Sequence, residues 1–167
     1  MTKTYIHYGN KKFDKNLFKI PKNNSQLNKP NGGLWASDIE SKFGWKNWCE
    51  AESFRKCDKE NSFCFKLSNN ANIFKINSVD DVYNMPLQTN AFESQIIRII
   101  DFELMIKNGI DVIEFNLSKD EDLYFALYGW DCDCILVLNP EVIIQIGDIL
   151  LILNKFNLQM KLFLLIT

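Results

Sequence analysis

The sequence predicts one α+β domain with short strands and interspersed helices, on three observations. A chain of 167 residues, 47% hydrophobic and 24% charged, is long enough for one domain with a substantial core. Short apolar runs with strand character recur as far as residue 139, most of them closed by Gly, Pro or Asn. Between them stand helix-start signals, a Ser or Asn with an acid three residues on. No repeat or linker divides the chain, so residues 1–167 are read as a single unit.

Element by element, "KTYIHY" over 3–8 alternates and reads as a strand closed by Gly9. Residues 10–31 are polar, carry Pro21 and Pro30, and read as a long basic loop. "GGLWAS" is a strand leaving a glycine turn. Ser37 with Glu40 reads as a capping box opening a helix to Gly44, and a second helix is expected from about Trp45 to Lys56. In it Trp45, Trp48, Cys49, Glu52 and Lys56 recur at three and four and share a face. "SFCFKL" and "NIFKIN", joined by "SNNA", read as a hairpin. Ser78 with Asp81 starts a short helix ending before Pro86. Asn90 with Glu93 opens the longest expected helix, to Asn108, with Gly109 as its C-cap. "DVIEFN" is a strand. Ser118 with Glu121 opens a helix to about Tyr128, and "DCDCILVLN" is a strand that Pro140 stops. The apolar tail, 142–167, is broken by Asp148, Lys155 and Lys161, so buried strands, or a strand and a helix, explain it better than a membrane span.

No positively charged start leads into an apolar run, and five cysteines without a CxxC pair suit reduced thiols. A cytoplasmic protein without membrane contact is expected. Cys132 and Cys134 have the spacing of half a metal site, but with one histidine and no second pair they read as core filler, and no metal is expected. Charge is unevenly spread. Residues 1–30 carry seven lysines against Asp14, and residues 78–141 carry thirteen acids against three bases. The basic part suits phosphates, or it complements the chain's own acidic half.

Three constellations carry chemistry. "IHYG" holds the only histidine, His7, which on a strand shares a face with Tyr5. In "GGLWAS", Trp35 beside a glycine turn serves either as a core plug or as a wall for a flat ring. In "GWDCDCILVLNPEVI", period-two geometry sets Asp131 and Asp133 on one face of the strand and Cys132 and Cys134 on the other. Two carboxylates at the mouth of an apolar strand are either solvated or used. The sequence contains no P-loop, GxGxxG, HExxH or GxSxG.

In this order the three pieces resemble the ADP-ribosyltransferase fold family. There an early strand bears His or Arg before a small residue, a second strand reads G-[IL]-[YW]-x-[AS], and a late strand bears the acid. The resemblance implies split antiparallel or mixed sheets with NAD in the cleft between them. It implies that His7 holds the nicotinamide ribose, that Trp35 faces the nicotinamide ring, and that Gly9 and Gly33 hold the rest of the dinucleotide by their backbones. It also implies that Asp133, with Asp131 two before it, is the catalytic acid at an oxocarbenium-like transition state. The family's acid is usually Glu and its aromatic usually Tyr.

Two function classes follow. One is an NAD-dependent ADP-ribosyl transfer enzyme acting on a protein or nucleic acid. The other is a non-catalytic inhibitor from a phage or mobile element, for example an anti-CRISPR-type protein that binds an RNA-guided nuclease, its partner then being a protein or ribonucleoprotein. Such a protein needs only a surface, which the lysine-rich loop or the acidic 111–133 region offers.

Overall fold

The computed structural model describes residues 3–24, 28–88 and 99–146. Along the chain run β1 (Tyr5–Tyr8), β2 (Leu34–Asp38), α1 (Trp45–Ala51), β3 (Ser62–Leu67), β4 (Ile73–Ile76), α2 (Val79–Tyr83) and α3 (Phe102–Lys107). They are followed by β5 (Val112–Phe115), α4 (Leu123–Ala126), β6 (Cys134–Val137) and β7 (Ile143–Gln145). Among the described residues the strands form one seven-stranded sheet, in the order β4-β5-β6-β2-β1-β3-β7. The β4–β5 pair is parallel and the other neighbours are antiparallel. The expected split into separate sheets is thus replaced by one mixed sheet.

The sheet nevertheless opens at one place. β1 meets β3 over four residue pairs, Tyr5↔Phe65 to Tyr8↔Ser62, but meets β2 only at Tyr5↔Asp38 and Ile6↔Ser37. β2 meanwhile follows β6 through Leu34, Trp35 and Ala36. Beyond Ile6 and Ser37 the two central strands diverge and leave a notch.

Side-chain alternation divides the core between the two faces of the sheet. On one face Ile113, Phe115, Leu136 and Trp130 pack with Val82 and Met85, with Phe102 and Met105 of α3, and with Leu123 and Leu127. On the other face Val112, Ile135 and Val137 pack with Tyr5, Phe63 and Phe65. Phe13 and Phe18 pack against that second face and anchor this part of the 10–31 segment to the sheet. Two of its six lysines pair with the acidic half: Lys15 with Glu141, and Lys29 with Asp131. Lys3, just outside the segment, pairs with the buried Glu114. Three of the seven lysines in residues 1–30 are thus matched by acids of the chain itself.

Several expected elements differ. β3 and β4 are strands but no hairpin. β3 takes β1 and β7 as neighbours, while β4 lies five positions away beside β5. Five intervals of about 4.8 Å exceed the roughly 21 Å that the six residue steps from Leu67 to Ile73 can span, so the sheet must curl. Ser37 opens no helix toward Gly44, because it lies in β2 with its side chain buried. α1 stops at Ala51, and Lys56 therefore leaves the face shared by Trp45 and Trp48. The long helix from Asn90 cannot run unbroken, because Ile100 bridges Leu87 and α3 starts afresh, with Asp101 accepting a bond from the Leu104 amide. Residues 90–98 of that expectation lie outside the described residues. Ser118 opens no helix either. Its amide and hydroxyl donate to Asp133, and α4 begins after Asp122.

Two local readings hold, the cap of α2 and the glycine after α3. Ser78 and Asp81 form the capping box of α2, and Gly109, at φ +76°, follows the end of α3. Of the apolar tail, Ile143–Gln145 is strand β7, and residues 147–167 lie outside the described residues. Among the described residues no helix is long and apolar enough to cross a membrane, and no group of three or more His, Cys, Asp or Glu is placed to hold a metal ion.

Candidate functional site

The notch between β1 and β2 opens into a cavity of about 470 Å³, within the range of roughly 300–1,000 Å³ usual for small-molecule sites. His7, Trp35, Trp45, Trp130, Asp131 and Arg55 are among its walls. His7 and Trp35 thus meet as expected, although they come from strands that have parted.

His7 bridges the notch. Its Nδ1 lies 2.7 Å from the Trp35 carbonyl oxygen. A carbonyl only accepts, so Nδ1 carries the proton and Nε2 keeps its lone pair. Burial pushes the imidazole below its ordinary pKa, with Arg55 adding to the effect and the Trp35 carbonyl opposing it. His7 is therefore a neutral acceptor. Gly9 takes φ +137°, a backbone that L side chains rarely adopt, and a Cβ there would come into contact with Nε2 at 3.4 Å.

Three indoles wall the cavity. Trp130 is fully buried, donates from Nε1 to the Asn28 carbonyl (2.7 Å), and meets Trp35 edge to face at 4.7 Å between centroids. Trp35 is half-buried, so it both plugs the core and faces the cavity. Trp45 stacks on Trp48 at 5.0 Å and 19°. Just past α1 the backbone turns through Ser53, at φ 51°, bringing Phe54 against both indoles and the Arg55 guanidinium over Trp45 at 5.4 Å.

The two aspartates part company. Residues 131–133 precede β6, so strand alternation does not govern them. Asp131 lines the cavity, where Lys29 Nζ lies 3.4 Å from its carboxylate. Asn28 anchors Lys29: its side chain accepts from the Ile100 amide and its carbonyl from Trp130. Asp133 does not line this cavity. Its carboxylate accepts from the Ser118 amide, the Ser118 hydroxyl and the Ser41 hydroxyl, at 2.9, 2.7 and 3.2 Å. Its amide donates to Phe43, and its carbonyl accepts from Ser37 Oγ, which in turn accepts from the Trp45 amide and so caps α1. Asp133 ties the turn after β2 to the segment before α4.

No family model, curated protein or solved structure matches the chain. The residues of the cavity alone carry the functional reading.

The glycines also differ from expectation. The Gly33 amide donates to the Lys19 carbonyl (2.8 Å), and Gly33 is not among the residues lining the cavity. Gly9 lines it, but its amide is bonded to the Asn61 carbonyl. Among the charged residues lining the cavity, Lys29 and Arg55 together exceed Asp131 by one positive charge. Sequence reasoning reached Lys29 only as one of the lysines of the basic segment and Trp45 only as part of a helix face, and it left Arg55 and Trp130 without a role. The "GWD" that places Trp130 directly before Asp131 was the one legible signal for any of them. Cys132 and Cys134 sit at the cavity floor, both buried, with Cys134 raised well above the usual thiol range by its hydrogen bond with Cys132 and by burial. All five cysteines are free thiols.

Proposed function

We propose that the chain binds NAD in the notch and transfers its ADP-ribosyl group to a macromolecule, with Asp131, not Asp133, as the acid. The supporting observation is the meeting of the lone imidazole, an indole face and a carboxylate in one cavity bearing one excess positive charge. Three aromatic walls suit a planar ring, and Lys29 and Arg55 suit a pyrophosphate.

When bound, NAD supplies a glycosidic bond whose cleavage releases neutral nicotinamide. Trp35 and Trp45 hold the planar leaving ring. His7, neutral and with Nε2 free to accept, takes a hydrogen bond from a ribose hydroxyl. Asp131 puts a fixed negative charge where positive charge develops on the sugar, a preorganised electrostatic contribution. Lys29 holds that carboxylate in place.

Incubation with labelled NAD, following nicotinamide release and labelled macromolecule, tests the reading. Wild type is expected to release nicotinamide, and Asp131→Asn to lose that activity by roughly a hundredfold or more. No binding and no release by the wild-type chain would overturn it.

A second reading, a non-catalytic inhibitor, has its own support. Phe125 within α4 and Tyr128 just after it are 78% and 72% exposed, and Asp120, Glu121 and Asp122 directly precede the helix. An apolar patch rimmed by acids suits contact with a basic macromolecular partner. Capture of an RNA-guided nuclease that persists in Asp131→Asn and is lost in Phe125→Ala would favour it.

A further inference from the structure

A cavity of about 410 Å³ opens at one end of the sheet's second face, the face of Tyr5 and Ile135. It shares only Cys134 with the notch and contains neither His7 nor Asp131. Neighbouring strands bring its walls together. Glu114 of β5 stands opposite Ile135 of β6, and Tyr5 of β1 stands opposite Asp38 of β2. The turn after β2 adds Phe43. Tyr5 is the member that the fold alone does not explain. It is 4% exposed and its ring packs on Phe65, yet among the described residues its hydroxyl has no hydrogen-bond partner. No fully buried side-chain oxygen or nitrogen of the described residues is left unbonded, so this hydroxyl faces the open cavity. A tyrosine buried to this extent ordinarily bonds its hydroxyl.

We propose that this cavity binds a neutral polyol the size of a monosaccharide, with Tyr5, Glu114 and Asp38 reading its hydroxyls and Phe43 covering one carbon face. The proposal does not rest on the transferase reading. Burial raises the Tyr5 pKa, and the nearby charges of Glu114 and Asp38 raise it further, so the hydroxyl keeps its proton and donates. Neither carboxylate takes that proton's hydrogen bond itself. A group standing between them must accept from Tyr5 and donate to a carboxylate, and a hydroxyl does both. A metal ion or an ammonium accepts nothing, and among the described residues no group of three or more His, Cys, Asp or Glu is placed to hold a metal. Charge points the same way. Four carboxylates line the cavity, Asp38, Glu40, Glu114 and Asp133, against Lys3 and Lys42, and Lys75 reaches Glu114 from outside at 3.9 Å. Each counted once, these leave one negative charge, which repels a phosphate. Lys3 already stands against both Glu114 and Asp38, so a cation would have to displace it, whereas a hydroxyl uses the lone pairs that Lys3 leaves. The volume far exceeds that of one water and falls in the small-molecule range, and Ile135 with Phe43 supplies an apolar strip for the C–H face of a sugar.

Titration of D-glucose, D-galactose, D-mannose and D-ribose into the full chain, following backbone amide resonances, tests the site. At least one sugar is expected to shift Phe43, Glu114 and Ile135 saturably while His7 and Trp35 stay in place. Tyr5→Phe removes only the hydroxyl and is expected to weaken that binding roughly tenfold. Phe43→Ala, at a position 61% exposed where folding is not at risk, is expected to weaken it several-fold and keeps the test decisive should Tyr5→Phe unfold. Asp131→Asn, in the notch, is expected to bind the sugar as wild type does. The site is overturned if none of the four sugars shifts these amides, or if a folded Tyr5→Phe or Phe43→Ala binds as tightly as wild type. Shifts centred on His7 and Trp35, or sugar binding lost in Asp131→Asn, would put the sugar in the notch and overturn it equally.

Discussion

His7 Nδ1 donates to the carbonyl oxygen of Trp35 across 2.7 Å, at the place where the ladder between β1 and β2 has ended. A side chain thus replaces the next backbone bond of the sheet. The notch stays open because the strands part, and it stays defined because the imidazole spans it.

The burial of His7 gives stability a pH dependence of known sign. Burial lowers the His7 pKa in the folded chain, below the ordinary 6.5 of the unfolded one. Between those values the unfolded chain binds a proton that the folded chain does not, so stability rises with pH across the window. The contribution is fully present above 6.5 and is lost as pH falls toward the folded value. Urea unfolding from about pH 5 to about pH 8 is expected to show this slope in wild type and a smaller one in His7→Asn. An equal slope in the variant contradicts the assignment.

Ser37→Ala tests a different bridge. The Ser37 hydroxyl is buried, donates to the Asp133 carbonyl and accepts from the Trp45 amide. Its loss is expected to cost about 1–2 kcal/mol by equilibrium unfolding. Ligand affinity measured below the transition should change little, since the hydroxyl is committed within the protein. A large loss of affinity with no loss of stability would mark it as a ligand contact instead.

The two aspartates are expected to separate cleanly. Asp133→Ala removes three hydrogen bonds to a carboxylate and should cost about 2–3 kcal/mol, seen as a lower urea midpoint, while the cavity still binds its ligand. Asp131→Asn is nearly isosteric and should unfold close to wild type while losing nicotinamide release. The reverse pattern would return the catalytic role to Asp133.

Trp130→Phe leaves the buried Asn28 carbonyl without its donor. A cost of about 1–3 kcal/mol is expected, together with faster amide hydrogen exchange around Asn28 and Lys29. Unchanged exchange there would show that Lys29 is held by other contacts.

The sequence made the notch's components legible better than their arrangement. Alternation and glycine punctuation located β1, β2, β5 and β6, and a short polar cap located α2. The capping boxes at Ser37 and Ser118 misled because a hydroxyl followed by an acid is a local signal. Both serines bond instead to Asp133, 96 and 15 residues away. β3 and β4 read as a hairpin because the segment between them has turn chemistry, yet strand partners are chosen by the whole sheet. Asp131 and Asp133 looked equivalent by period two, but that period begins only at Cys134. Lys29 and Arg55 reach the cavity from irregular segments, where no periodicity announces them.

A crystal structure of the protein soaked with NAD tests the central claim most directly. The account predicts density in the notch, a planar ring against Trp35 or Trp45 and a ribose within hydrogen-bonding reach of His7 Nε2 and Asp131. A notch holding only solvent, with NAD bound elsewhere or nowhere, would contradict it.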